Sequence, residues 1–259
     1  MTRTLLIRGM LVGILAGLLV FAFAKLFGEP QVDLAIAFED HAHQLAGDAP
    51  EPVLVSRAMQ VSWGLLTGVV VYGAAIGGIF SLLFAFAHGR LGRLGPRTTA
   101  ALLALAGFVA IVLVPQLKYP ANPPSFGNPE TIGSRTALYF GMIVISIVAM
   151  VAAVNLGRGL LARLGTWNAV IAAAAVYVVV VAIAGYVMPP VNEVPAAFSA
   201  VVLWNFRLAS LGMQVILWTT LGLGFGALAA HTLHSRQGLR VCRIASDRPA
   251  SCNSGPRLS

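Results

Sequence analysis

Apolar residues run through this chain in long blocks, and polar residues are confined to the gaps between them. Six blocks, at residues 5–27, 60–87, 98–117, 136–156, 167–188 and 208–230, each hold 20 residues or more. A helix of about 20 residues crosses about 30 Å of hydrocarbon, so each block predicts a membrane-spanning helix. None is amphipathic enough to lie on a membrane surface. The pattern predicts an all-α integral membrane fold, a bundle of about six transmembrane helices. It fills residues 1–230 and leaves a basic cytoplasmic tail at 231–259.

The gaps differ in kind. Those around residues 88–97 and 157–166 are short. The others are long, and two are rich in proline. Residues 115–135, PQLKYPANPPSFGNPETIGSR, hold Pro115, Pro120, Pro123, Pro124 and Pro129. Proline fixes φ and removes a backbone donor, so this run predicts a stiff loop outside the hydrocarbon. The gap at 189–207 carries Pro189, Pro190 and Pro195. Both loops place an Asn near a Glu (Asn128 and Glu130; Asn192 and Glu193) and then an Arg at the mouth of the next helix. They predict a packed lid or vestibule.

Composition narrows the class. The chain is 58% hydrophobic and 10% charged, against about 25% charged in a soluble domain. The net charge of +8 is explained by topology before nucleic acid is invoked. With the N-terminus inside, 12 of the 17 basic residues fall on inner segments, from Arg3 and Arg8 through Arg90, Arg93, Arg97, Arg158 and Arg163 to the tail. That is the positive-inside bias, and it makes both termini cytoplasmic. Eight of the nine acids, Glu29, Asp33, Glu39, Asp40, Asp48, Glu51, Glu130 and Glu193, fall outside. Membrane lipid is the expected partner surface, and no nucleic acid. Ala22-Phe23-Ala24 resembles a signal-peptide cleavage site, but the preceding block is long for such a peptide and reads as a retained helix.

Glycines cluster in the second block, where Gly73 and Gly77 form a GxxxG. Small residues at that spacing let helix backbones approach closely. Packing within the chain is the preferred reading over a dimer contact.

Residues 114–139, VPQLKYPANPPSFGNPETIGSRTALY, and residues 188–212, MPPVNEVPAAFSAVVLWNFRLASLG, follow an opening membrane helix and an acidic segment. Together these resemble CbtA, the family of predicted cobalt transporter subunits. The resemblance spans residues 5–230. It implies a component of the bacterial inner (plasma) membrane that imports Co2+ for cobalamin synthesis. It also implies a small single-helix partner, CbtB, with a histidine-rich end. The family is described with five helices, one fewer than the six blocks here.

The residues supply candidate metal ligands of their own. Glu39-Asp40-His41-Ala42-His43 combines carboxylate and imidazole, which a borderline ion such as Co2+ accepts. If the stretch is helical, Glu39 and His43 share a face, with Asp40 three residues before His43. If it is extended, His41 and His43 point the same way. Either case gives two or three ligands, and Glu130, Glu193 or water would complete the shell. The competing reading is a hydrated acidic surface that attracts cations through its field. In the tail, His231, His234, Cys242 and Cys252 match no common site spacing, and a basic tail on anionic headgroups is preferred.

No Asp, Glu, Lys, Arg or His lies near the middle of a block, so no proton relay is expected. There is no glycine-rich phosphate loop, nucleophile–base set or metal-hydrolase motif, so neither an ATP motor nor an enzyme is expected. Cobalt would be cargo, with no resident cofactor. The membrane potential would favour inward movement of a divalent ion by about 4.6 kcal/mol per 100 mV. Two functions compete: a cobalt uptake subunit, or a non-transporting scaffold or sensor that binds a partner through its outer loops.

Overall fold

In a computed structural model, the described residues are 2–47, 55–90, 92, 94–124, 127 and 129–233. Asp48, Glu51, Arg93, Asn128 and the tail residues His234, Cys242 and Cys252 lie outside them. The described residues contain no strand. Five helices are long and apolar enough to cross a membrane: α1 (Thr2–Ala46), α2 (Arg57–Ala87), α3 (Pro96–Lys118), α4 (Ile132–Val187) and α5 (Ala200–Leu233).

Five is one fewer than the six expected, and the difference lies wholly in α4. Its 56 residues would run about 84 Å if straight, far beyond a bilayer. Gly165 breaks it, with φ 72° and ψ 169°. Contacts across the break show that the chain turns back on itself. Ser146 Oγ lies 2.8 Å from Tyr177 OH, and a Cβ added to Gly157 would sit 3.1 Å from Ala173 Cβ. The stretch is therefore an antiparallel hairpin with arms at 132–164 and 166–187. Each arm is long enough to cross, so the described residues hold six segments of crossing length within five long helices.

The first apolar block ends at residue 27, so the acidic gap at 28–59 is expected from the sequence to be an outer loop. Instead α1 continues to Ala46. The reason is a π turn at Ala24–Gly28, in which the Glu29 N–H bonds five residues back to Ala24 O. Proline lacks the donor an α-helix needs and crowds the preceding turn. Here Pro30 falls where that ladder has already been shifted, and the helix carries on through it. The same device recurs in α3. A π turn at Phe108–Leu113, closed by Val114 N–H to Val109 O, precedes Pro115. α1 ends at Gly47, whose φ of 71° suits a left-handed C-cap.

α1 and α2 pack antiparallel along a glycine seam. A Cβ on Gly13 would overlap Gly73 O, one on Gly9 would overlap Gly77 O, and one on Gly17 would lie 2.6 Å from Val69 O. The GxxxG of α2 thus packs inside the chain. α3 and α5 close this core, where Phe80, Phe84, Leu221 and Phe225 are buried together. A second cluster joins the outer half of α3 to the hairpin, through Val114, Tyr119, Met142, Ala149 and Tyr177.

With six crossings, the start of α1, the end of α5 and the Gly165 corner share one end of the bundle. Arg8 Nη1 donates to Leu228 O at 2.8 Å and also bonds Thr232 Oγ1, tying the two there. Arg3, Arg8, Arg90, Arg97, Arg158 and Arg163 belong to this end. The opposite end holds every described acid.

Candidate functional site

The acid-bearing end is built in three layers. The outermost is the extension of α1. About 20 of its 45 residues suffice to cross the hydrocarbon, so the last turns project beyond it. They carry Glu39, Asp40, His41 and His43, and the helical option for this stretch is the one realised. Glu39 Oε1 and His43 Nε2 are 3.9 Å apart, with side chains 33% and 49% exposed. That separation is too long for a hydrogen bond, but both atoms can reach one ion at about 2.1 Å. Asp40 and His41 are exposed on adjoining faces. Nearer the membrane, Arg57 of α2 engages Glu29 and lies 2.9 Å from Asp33 Oδ1, so those two acids anchor the extension.

The second layer is the pair of proline-rich loops, which interlock as expected of a lid. Tyr119 OH donates to Pro189 O at 2.9 Å. Burial pushes this phenol's pKa up, so it stays a neutral donor. Arg135 Nη1 lies 3.2 Å from Glu193 Oε2, and Thr131 Oγ1 donates to Glu193 Oε1 at 2.6 Å. Arg207, from the first turns of α5, donates to Ala121 O at 3.2 Å and Asn122 Oδ1 at 3.0 Å. Phe38 packs edge-on against Phe198 with ring centroids 5.2 Å apart. The acid-bearing helix therefore rests on the lid one residue from Glu39.

Of the six candidate ligands, Glu39 and His43 are brought together. Asp40 and His41 stay beside them on the helix. Glu130 is exposed on the 3-10 turn Pro129–Thr131, and Glu193 is held in the lid by Arg135 and Thr131. Among the described residues, no three of His, Cys, Asp and Glu form a group that could hold a metal ion unaided.

The third layer lies beneath the lid, between the hairpin and the core helices. There the side-chain oxygen of Gln214 is buried without a hydrogen-bond partner. Gln214 lies within an apolar block, and sequence reasoning passed over it. Helical spacing carries a signal for it: Gln214 is seven residues from Arg207, two turns below that lid arginine on the same face of α5.

Residues 2–230 match the model of the family described as "Probable cobalt transporter subunit (CbtA)". No curated protein and no solved structure matches the chain.

Proposed function

The chain belongs to the CbtA family of probable cobalt transporter subunits, and on that premise we propose that it captures divalent cobalt at the projecting end of α1 and passes it through the helical bundle. The observation that carries the reading is the Glu39–His43 pair, one helical turn apart on an exposed face with Asp40 beside it. Carboxylate and imidazole together suit a borderline divalent ion. Two or three protein ligands leave positions for water, which favours capture and release over permanent binding. The surrounding acids raise the local cation concentration through their field, and His41 adds a second imidazole beside the pair.

Glu130 and Glu193 serve as the next ligands at the lid. Glu193 becomes available only as Arg135 and Thr131 release it, which couples cation arrival to lid opening. The distribution of arginine supports an orientation with the acid-bearing end outside a bacterial inner membrane and both termini in the cytoplasm. A small single-helix protein of the CbtB kind completes the system. The chain itself is not an enzyme and holds no cofactor.

Cobalt uptake by a host lacking other cobalt importers tests the reading. Expression of the chain with its partner raises accumulation of radiolabelled cobalt above the empty host. A protein that inserts and binds its partner but moves no cobalt would instead be a scaffold or sensor.

A further inference from the structure

Toward the arginine-rich end, α3 and α5 cross in close contact, and small residues let them do so. A Cβ added to Gly226 would lie 3.4 Å from Arg97 Cα, and one added to Gly222 would lie 2.8 Å from Ala104 Cβ. Beside this contact the two helices leave a cleft of about 320 Å3. Ala101, Ala104 and Gly222 line it together with Leu105, Val215 and Leu223. Leu105 and Leu223 are 58% and 65% exposed, so the cleft opens toward lipid and not into the core. Phe108 and Trp218 stand at its deep end, with the Trp218 ring resting on Gly107.

Length and charge decide what fits there. Arg97, Ala101, Leu105 and Phe108 recur at i, i+4, i+8 and i+11, one face of α3. Arg97 to Phe108 is about 16 Å of helix, roughly half of a 30 Å hydrocarbon core. The cleft therefore runs from one membrane surface to the midplane, the depth of a single leaflet. A partner helix spanning the bilayer would need a groove of twice that length, and here the Trp218 ring over Gly107 occupies the seam at mid-depth. The mouth of the cleft is basic. Arg97 and Thr98 are exposed at that end of α3. On α5, Leu223, Ala227 and His231 follow at i, i+4 and i+8, and all three are exposed. Every described acid lies at the opposite end of the bundle, so no described carboxylate competes for this charge.

We propose that this cleft binds an anionic phospholipid of the adjoining leaflet, its phosphate at Arg97 and one acyl chain along Ala101, Leu105 and Phe108. A guanidinium suits phosphate oxygens because its fork of donors can meet two of them at once. Basic pockets between membrane helices recognise lipid headgroups through the same chemistry. The alanines and Gly222 leave the room in which the chain lies, since larger side chains at those positions would fill it. Both walls belong to helices that close the core, so the lipid bridges α3 and α5. The site is independent of cobalt capture at the other end of the bundle.

Quenching of Trp218 by brominated lipid tests this in the full-length chain. The exposed Trp63, Trp167 and Trp204 are first replaced, as Trp63→Phe, Trp167→Phe and Trp204→Phe, so that Trp218 alone reports. The protein is placed in phosphatidylcholine vesicles with rising fractions of acyl-brominated phosphatidylglycerol or acyl-brominated phosphatidylcholine. Half-maximal quenching is expected at about fivefold lower fraction of the anionic lipid, the factor one basic residue contributes at a charged surface. Arg97→Gln is expected to bring the two lipids within about twofold of each other. Ala101→Leu, which fills the cleft, is expected to weaken quenching by both. Equal quenching by the two lipids, or a preference that survives Arg97→Gln, overturns the site. Absence of quenching with cross-linking of two chains through the cleft also overturns it, because a second copy then covers Trp218. Should the triple replacement fail to insert, native mass spectrometry of the unmodified chain released from the same vesicles gives a second readout. Retained phosphatidylglycerol that is lost in Arg97→Gln supports the site, and equal retention in both overturns it.

Discussion

Arg135 Nη1 lies 3.2 Å from Glu193 Oε2, joining the mouth of α4 to the loop that follows it. The two side chains are 24% and 21% exposed, so water screens the pair only partly. Both oxygens of Glu193 are engaged, the second by Thr131. Removing one partner leaves a half-buried charge, at a cost of about 1–2 kcal/mol, between the values for surface and buried pairs. Arg135→Ala or Glu193→Gln is expected to lower the unfolding midpoint in detergent and speed proteolysis of the outer loops. The reversed pair, Arg135→Glu with Glu193→Arg, is expected to recover part of both. Equal protease resistance in all variants would show that the lid does not depend on this pair.

The glycine seam gives a sharper contrast. Gly13→Ala would drive a methyl group into the Gly73 carbonyl, which is backbone and cannot rotate away. Gly68 on α2 has open space where its Cβ would go. Overpacking costs about 1–3 kcal/mol, whereas glycine in a helix interior is about 0.5–1 kcal/mol worse than alanine. Gly13→Ala is therefore expected to destabilise the protein, and Gly68→Ala to leave it unchanged or stabilise it. Thermal unfolding in detergent reads both, and equal midpoints would contradict the seam.

The hairpin form of α4 rests partly on the Ser146–Tyr177 bond. Tyr177→Phe removes it at an expected cost of about 0.6 kcal/mol, with about 1.7 kcal/mol as an upper bound for such bonds. A more direct check is a disulfide between Gly157→Cys and Ala173→Cys, because a Cβ at position 157 would sit 3.1 Å from the Ala173 Cβ, close to disulfide spacing. Efficient cross-linking is expected, and its absence would contradict the fold-back at Gly165.

Tyr119 links the two proline-rich loops, and the sign of its pH dependence is fixed. Its pKa is raised in the folded state, so its contribution is complete below the ordinary tyrosine value of about 10 and is lost as pH rises through the raised value. Loop protection from protease is expected to be flat from neutral pH to about 9 and to fall above 10 in the native protein. The fall is expected to be smaller in Tyr119→Phe, where the hydroxyl is already gone.

How much of this was legible in the sequence follows from the forces involved. The six apolar blocks specify six crossings because hydrocarbon thickness sets helix length, and Gly165 turns the chain back where a polar gap falls between two blocks. The internal role of Gly73 and Gly77 was legible from spacing, but their partners Gly9, Gly13 and Gly17 were not, because a GxxxG does not say which helix it meets. Residues 28–59 read as a loop because the first apolar block ends at residue 27 and the acids begin. The π turn at Ala24–Gly28 that lets α1 continue has no plain sequence signature. An arginine at the helix mouth pairing with a lid glutamate was legible from the loop pattern, but that Arg135 and Thr131 together engage both oxygens of Glu193 is set by the fold. Gln214 lay inside an apolar block, and only the fold shows its side-chain oxygen buried without a hydrogen-bond partner.

On the proposed reading, the projecting end of α1 collects the cation. The most direct measurement is initial uptake of radiolabelled cobalt at limiting concentration by the triple variant Glu39→Ala, His41→Ala, His43→Ala, with membrane insertion verified. Uptake is expected to fall to that of the empty host and to be rescued in part at high external cobalt. Wild-type uptake at limiting cobalt would contradict capture at this end of the helix.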